Sequence, residues 1–239
     1  MKTALITGGA HRIGAQIVKT LHDNDFHVII HYNTSAKVAE KLANELNLKR
    51  QNSATVIRAD LEDIEAVKKL ANDIESIDLL INNASVFYPT PVEKVTQDSW
   101  NQILNTNLFA PFTLSQNLAS KLAKNQGCII NIVDIHSQRP LKNHAVYNIS
   151  KAGISMMTKT LAKEFAPDIR VCGVSPGSIL WPENEATLSE KQKSSMLKKI
   201  ALKRQGEAQD IADTVAFLAN ATYITGQIIN VDGGRTLNQ

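Results

Sequence analysis

Asp134, Tyr147 and Lys151 punctuate the stretch DIHSQRPLKNHAVYNISK and offer a carboxylate, a phenol and an ammonium among which one proton can pass. Tyr147 and Lys151 are four apart at the start of an expected helix, AVYNISKAGISMMTKTLAKEF, and side chains at that spacing share one helical face. Asp134 follows the apolar run CIINIV, where a strand gives way to a loop; if the loop folds back, the three groups meet. A carboxylate beside the phenol would disfavour phenolate and keep Tyr147 a donor, while Lys151 pulls the other way. Such a trio suits general acid catalysis. Asp134 as a plain turn or cap carboxylate is the alternative, disfavoured by its place thirteen residues before Tyr147.

The elements that must position this trio alternate regularly. TALIT, FHVIIHY, SATVIRAD, IDLLINNA, CIINIV, DIRVCGVSP and QIINVDGG read as strands, with amphipathic stretches between them. Short Val/Ile-rich runs joined by helices indicate a doubly wound parallel α/β sheet of Rossmann type. With 239 residues, 26.2 kDa and 43% hydrophobic composition, residues 1–239 are expected to form a single domain. Pro111 lies inside the long pattern from Thr96 to Asn125 and should bend it by removing a backbone donor. The less regular segment around 178–205 is where a substrate lid is expected.

Composition narrows the function classes. No apolar run approaches the ~20 residues that span a bilayer, and the first strand begins too early for a leader, so a cytoplasmic protein is expected. A net charge of +3 is too mild for nucleic-acid binding. Cys128 and Cys172 sit in apolar runs without CxxC spacing and read as buried thiols. His27 and His31 would share a strand face, but two imidazoles lack the further ligands of a zinc site, so no metal is expected.

Thr7 to Gly14, TGGAHRIG, joins the first strand to the first helix, where Gly8 and Gly14 permit a tight turn and close backbone approach. The following helix N-terminus, with Ile13, offers amides to a pyrophosphate. An NAD site usually has an acid at the end of the second strand to bind the ribose 2′-hydroxyl. Here His31, Tyr32, Asn33, Thr34 and Ser35 occupy that place without an acid, and Arg12 comes from the Gly turn. A cation with amide and hydroxyl donors suits a 2′-phosphate, which favours NADPH; Ser35 is also placed to cap its helix.

With the Thr-Gly turn, Asp60 after the third strand, Asn82-Asn83-Ala84 after the fourth, Asn107, Tyr147-x-x-x-Lys151 and Pro176-Gly177, the chain resembles the short-chain dehydrogenase/reductase family over essentially its whole length. The resemblance implies about seven parallel strands, a nicotinamide cofactor and frequently a homotetramer. It places Asp60 and Leu61 at the adenine, Asn82 and Ala84 near the nucleotide ribose, and Tyr147 and Lys151 at the nicotinamide ribose and the chemistry. Ser85, Pro176, Gly177 and Ser178 complete the implied cofactor set, and Asn107 would hold Lys151 through a water.

Departures from the family pattern point to its pteridine reductase branch: Arg12 and Ser85 stand where most members have Gly, and Asp134 where most have Ser. NNASVFYPTP is close to the branch's segment in which the Phe stacks on a pterin, so Ser85, Phe87, Asp134, Tyr147 and Trp181 form the expected substrate set. Trp181 is equally placed for lid packing. The branch often has Arg after the second strand, where this chain has Thr34. The implied activity is NADPH-dependent reduction of a dihydropterin, dihydrofolate or oxidised pterin, with proton donation through Tyr147. A carbonyl reductase acting on a 3-oxoacyl thioester or other ketone, and a non-catalytic NADPH-binding protein, are the competing expectations. The basic run Lys191 to Arg204 is either a solvated helix face or a lure for the acidic tail of a folate.

Overall fold

The computed structural model describes residues 1–179 and 189–237; Trp181 and most of the irregular part of the expected lid lie outside them. Strands β1 (Thr3–Ile6), β2 (His27–Tyr32), β3 (Ala54–Arg58), β4 (Leu79–Asn82), β5 (Cys128–Ile132), β6 (Arg170–Pro176) and β7 (Ile228–Val231) form one sheet. Every pairing is parallel, in the order β3-β2-β1-β4-β5-β6-β7. The order reverses between β1 and β4. Their carboxyl ends therefore open the crevice in which doubly wound sheets bind ligands.

Both sheet faces are buried, which explains the nearly continuous apolar strands. Ala4, Ile6, Val28, Ile30 and Ile81 pack with α1 (Arg12–Asp23), α2 (Ala36–Lys49) and α8 (Ala208–Asn220). Leu5, Leu80, Ile129 and Val171 face the opposite layer of α3 (Ile64–Asp73), α5 (Ala110–Lys124) and α6 (Ala145–Glu164). Each fully buried Leu or Ile side chain contributes roughly 1.5–3 kcal/mol from burial. Asp63 starts α3 by accepting the Glu65 and Ala66 amides at 2.9 and 3.3 Å. Cys128 and Cys172 are free, buried thiols on neighbouring strands. No helix among the described residues is long and apolar enough to cross a membrane.

The long pattern expected around Pro111 resolves into three pieces. A capping box of Thr96 and Ser99 starts α4 (Gln97–Leu104); residues Asn105–Phe109 make a π-helical turn, and α5 follows. The Ala110 amide bonds back to the Asn105 carbonyl, five residues away. Pro111 has no N–H to give Asn107, its α-helical partner. The irregularity is thus a local change of winding immediately before Pro111, and it contains Asn107. Within the expected lid, Glu190–Lys198 form α7, with Lys198 and Lys199 exposed.

Candidate active site

The loop after β5 does fold back onto α6. Tyr147 Oη donates to Asp134 Oδ2 at 2.8 Å, across the thirteen residues that separate them. Asp134 Oδ1 meanwhile accepts the His136 amide at 2.8 Å and starts a short 3-10 turn. The turn-capping bond and the bond to Tyr147, set against each other from the sequence, therefore coexist, because a carboxylate has lone pairs for both. Tyr147 and Lys151 are 5% and 3% exposed, on the buried face of α6. Lys151 Nζ donates to the Ile132 carbonyl at 3.1 Å and lies 5.6 Å from the Tyr147 ring centroid.

Burial, then the Asp134 charge and hydrogen bond, push the Tyr147 phenol well above its ordinary range. Burial draws Lys151 down to about 8, against the opposing pull of Asp134. The site thus keeps a neutral phenol beside an ammonium poised near the physiological range, an arrangement suited to handing on a proton.

Asn107 is 1% exposed and holds the cleft wall to α6. Its Oδ1 accepts the Val86 amide at 2.7 Å, and its Nδ2 donates to the Val86 carbonyl at 3.0 Å and to Ser150 Oγ at 3.2 Å. Phe87 follows. Its ring stacks on His144 with centroids 4.7 Å apart and 14° between planes, and meets the Tyr147 ring edge-on at 4.8 Å. Phe87 is half-exposed and Ser85 exposed, so the expected substrate wall lies at the surface of the cleft beside the trio. Tyr88 instead turns to α4, where its hydroxyl donates to Gln102 at 2.9 Å.

The Gly turn is closed from below. Gly8 has φ 62°, and a Cβ on Gly14 would fall 2.2 Å from the Gly8 carbonyl, so the helix start sits directly against the turn. Arg12, exposed at the start of α1, has φ 52°, a left-handed conformation that it shares with Asp25, Asn52, Gln126, Asn143 and Lys203. Ile13 follows in α1, and Tyr32, Asn33 and Thr34 line the free end of β2. Asp60 is exposed and bonds the Glu62 amide at 3.0 Å, beside buried Leu61. These residues fit a dinucleotide: the turn has backbone room, and the end of β2 carries no acid.

Two of the expected cofactor residues sit beneath the crevice, and the cap expected of Ser35 is not made. His31 is 2% exposed and lies beneath the turn, where Nδ1 accepts the Gly8 amide at 3.1 Å and Nε2 meets the Ala59 carbonyl at 3.2 Å. Asn82, also 2% exposed, donates to Asn131 Oδ1 at 2.8 Å inside the sheet rather than into the crevice. Ser35 precedes α2 but makes no side-chain capping bond. Burial holds His31 down to about 4, opposed by the Ala59 bond and the Asp60 charge. The unfolded ring takes a proton near 6.5, so stability should fall as pH drops from about 6.5 to about 4, by about 3 kcal/mol at most. His31→Gln should lack that acid slope in thermal unfolding measured across this window; an unchanged slope would exclude His31 as its source.

The tie between turn and sheet is Asn83, a residue of the Asn82-Asn83-Ala84 motif to which the sequence assigns no role of its own. Its Nδ2 donates to the Thr7 and Gly8 carbonyls at 2.8 and 3.2 Å, while Thr7 Oγ1 accepts the Asn83 and Ala84 amides at 2.9 and 3.0 Å. At the end of β6, buried Pro176 leads to Gly177, where a Cβ would lie 2.6 Å from Asp232 Cα, and to Ser178, whose hydroxyl accepts from Arg235. Neither His144 nor Arg235 was marked from sequence.

The family model described as Enoyl-(Acyl carrier protein) reductase matches residues 8–236. The 3-oxoacyl-(acyl-carrier-protein) reductase FabG of Staphylococcus epidermidis is 36% identical, covering 98% of both chains. Pteridine reductase 1 of Leishmania tarentolae is 31% identical, covering 99% of this chain and 96% of the relative. The crystal structure of a blue fluorescent protein from a metagenomic library, in complex with NADPH, superposes with a TM-score of 0.89 at 31% identity, over 98% of this chain and 97% of that one. Matched from the Gly turn to the C-terminal segment, the chain belongs to the short-chain dehydrogenase/reductase family.

Proposed function

We propose that the protein is a cytoplasmic, NADPH-dependent pteridine reductase. The observation that carries this reading is the 2.8 Å hydrogen bond from the Tyr147 phenol to the Asp134 carboxylate. Hydride addition moves an electron pair onto the oxygen of a ketone or the nitrogen of a ring C=N bond alike, and a proton must neutralise it. The ring nitrogen is the more basic and can take that proton before or with the hydride, so it tolerates a neighbouring carboxylate better than a ketone oxygen does, and the Tyr147 phenol, held neutral by burial and by Asp134, can supply the proton.

NADPH would supply the hydride, cradled by the Gly8–Gly14 turn, with Arg12 and the acid-free end of β2 suiting its 2′-phosphate. Tyr147 is the proton donor, Lys151 binds ribose and tunes Tyr147, and Asn107 fixes the wall against α6. Ser85 and Phe87 hold the flat ring, stacking on Phe87 adding about 0.5–1.5 kcal/mol beyond burial. Residues 178–205 serve as the substrate lid. A homotetramer is supported by the exposed Phe109, Phe112, Ile149 and Met156 on the π turn, α5 and α6. Light scattering should return four times the 26.2 kDa chain mass; a monomer would remove this element of the proposal.

The 36% identity to a 3-oxoacyl reductase favours a second reading, a carbonyl reductase of the same family. A non-catalytic NADPH-binding protein accounts poorly for the buried Tyr147–Lys151 pair. Following NADPH absorbance with dihydrobiopterin, with an acetoacetyl thioester and with neither separates the three. Oxidation with dihydrobiopterin alone is expected; turnover of the thioester alone would overturn the pteridine assignment.

A further inference from the structure

The C-terminal segment carries a cation to the cleft. After β7 the chain turns through Gly233 and Gly234, at φ 61° and 77°, packed so closely on Ile200 and Ala201 that a Cβ on either would lie 2.8 Å from its neighbour. Asp232 fastens the turn by accepting the Gly234 and Thr236 amides at 2.9 and 2.8 Å. Arg139 Nη1 clamps it from the loop after β5, donating to the Arg235 and Thr236 carbonyls at 3.1 and 2.9 Å. The Arg235 side chain, half-buried, donates one N–H to Ser178 Oγ at 2.8 Å. Its other N–H groups have no protein partner among the described residues.

Asp134 is close enough for its charge to favour the Arg235 cation, yet no N–O contact within 4.0 Å joins them. Arg235 is therefore near, but not bonded to, the carboxylate that holds the Tyr147 phenol. Among the described residues, Arg139 and Asp232 are the other charges that act on Arg235. A guanidinium with unused planar donors matches a carboxylate, whereas an alkyl chain placed there would leave those donors unpaired.

The geometry points to Arg235 as a specificity-determining residue that binds a carboxylate on the substrate, away from the reacting bond. This deepens the pteridine reading above and rests on it. It assigns recognition of an acidic tail to the C-terminal segment rather than to the exposed Lys198 and Lys199.

The test compares dihydrofolate with 6-methyl-7,8-dihydropterin at saturating NADPH. Arg235→Leu is expected to raise the ratio of their KM values about tenfold, the effect of one charged hydrogen-bond contact. Arg235→Lys should recover part of the loss, and the Lys198→Ala/Lys199→Ala pair should move the ratio less than Arg235→Leu does. An unchanged ratio in Arg235→Leu, or a larger shift in the lysine pair, overturns the assignment. If neither substrate is reduced, the pteridine reading falls, and titration of the NADPH complex with p-aminobenzoylglutamate decides on Arg235 without turnover. About tenfold weaker binding in Arg235→Leu sustains its role; equal binding, or none to the wild type, ends it.

Discussion

Tyr147→Phe should reduce pterin-dependent NADPH oxidation by about a thousandfold, the scale of a lost general acid, with the NADPH dissociation constant little changed. The reason is geometric: the phenol is the buried group that bonds Asp134 and shares a helical face with Lys151. Stopped-flow single turnover would separate loss of the chemical step from loss of binding. Near-normal turnover in the Phe variant would remove Tyr147 from the reaction. The pH profile adds a second readout. Because Tyr147 stays protonated far into the alkaline range while Lys151 is drawn down to about 8, the wild-type alkaline limb should fall near pH 8 and belong to the lysine. Residual activity of Tyr147→Phe should keep that limb.

Asp134→Ser should cost about a hundredfold in pterin reduction and also move the limb. Asp134 raises the Lys151 value, so its removal lets burial pull Lys151 further down and shifts the alkaline limb to lower pH. The phenol should remain protonated through the same range, since burial is the first cause of its elevation and the Asp134 charge only the second. Activity toward a small ketone should rise relative to pterin, because the repelling carboxylate has been replaced by a neutral donor. If the ratio of the two activities were unchanged, Asp134 would not set the choice between imine and carbonyl.

The sequence announced what depends on neighbours in the chain. Val/Ile-rich runs alternating with helices specified the parallel sheet, and the Tyr147–Lys151 spacing placed both side chains on one face of α6. Contacts made through space were less legible. His31 and Asn82 stand where cofactor ligands are expected, but the depth of each below the crevice is set by Gly8, Ala59 and Asn131, residues from other strands and turns. The bonding role of Asn83, and Arg235 altogether, escaped notice for the same reason, since their partners Thr7 and Ser178 lie 76 and 57 residues away. Pro111 foretold an irregular helix, but periodicity alone does not reveal one additional residue in a turn.

That additional residue is absorbed by the wide turn without a large change in the phase of the helical arm from Gln97 to Lys124. An α-helix advances about 100° per residue and a π turn less, so excising one residue between Asn105 and Phe109 would let the turn rewind as α-helix and leave the segments on either side close to their present orientation. Leu114, Leu118 and Leu122 would then stay in the core, and the loss would fall on the bonds from Asn107 to Val86 and Ser150. The winding defect serves the cleft and not the core: it presents Asn107 to the wall while the hydrophobic anchor of the arm keeps its place.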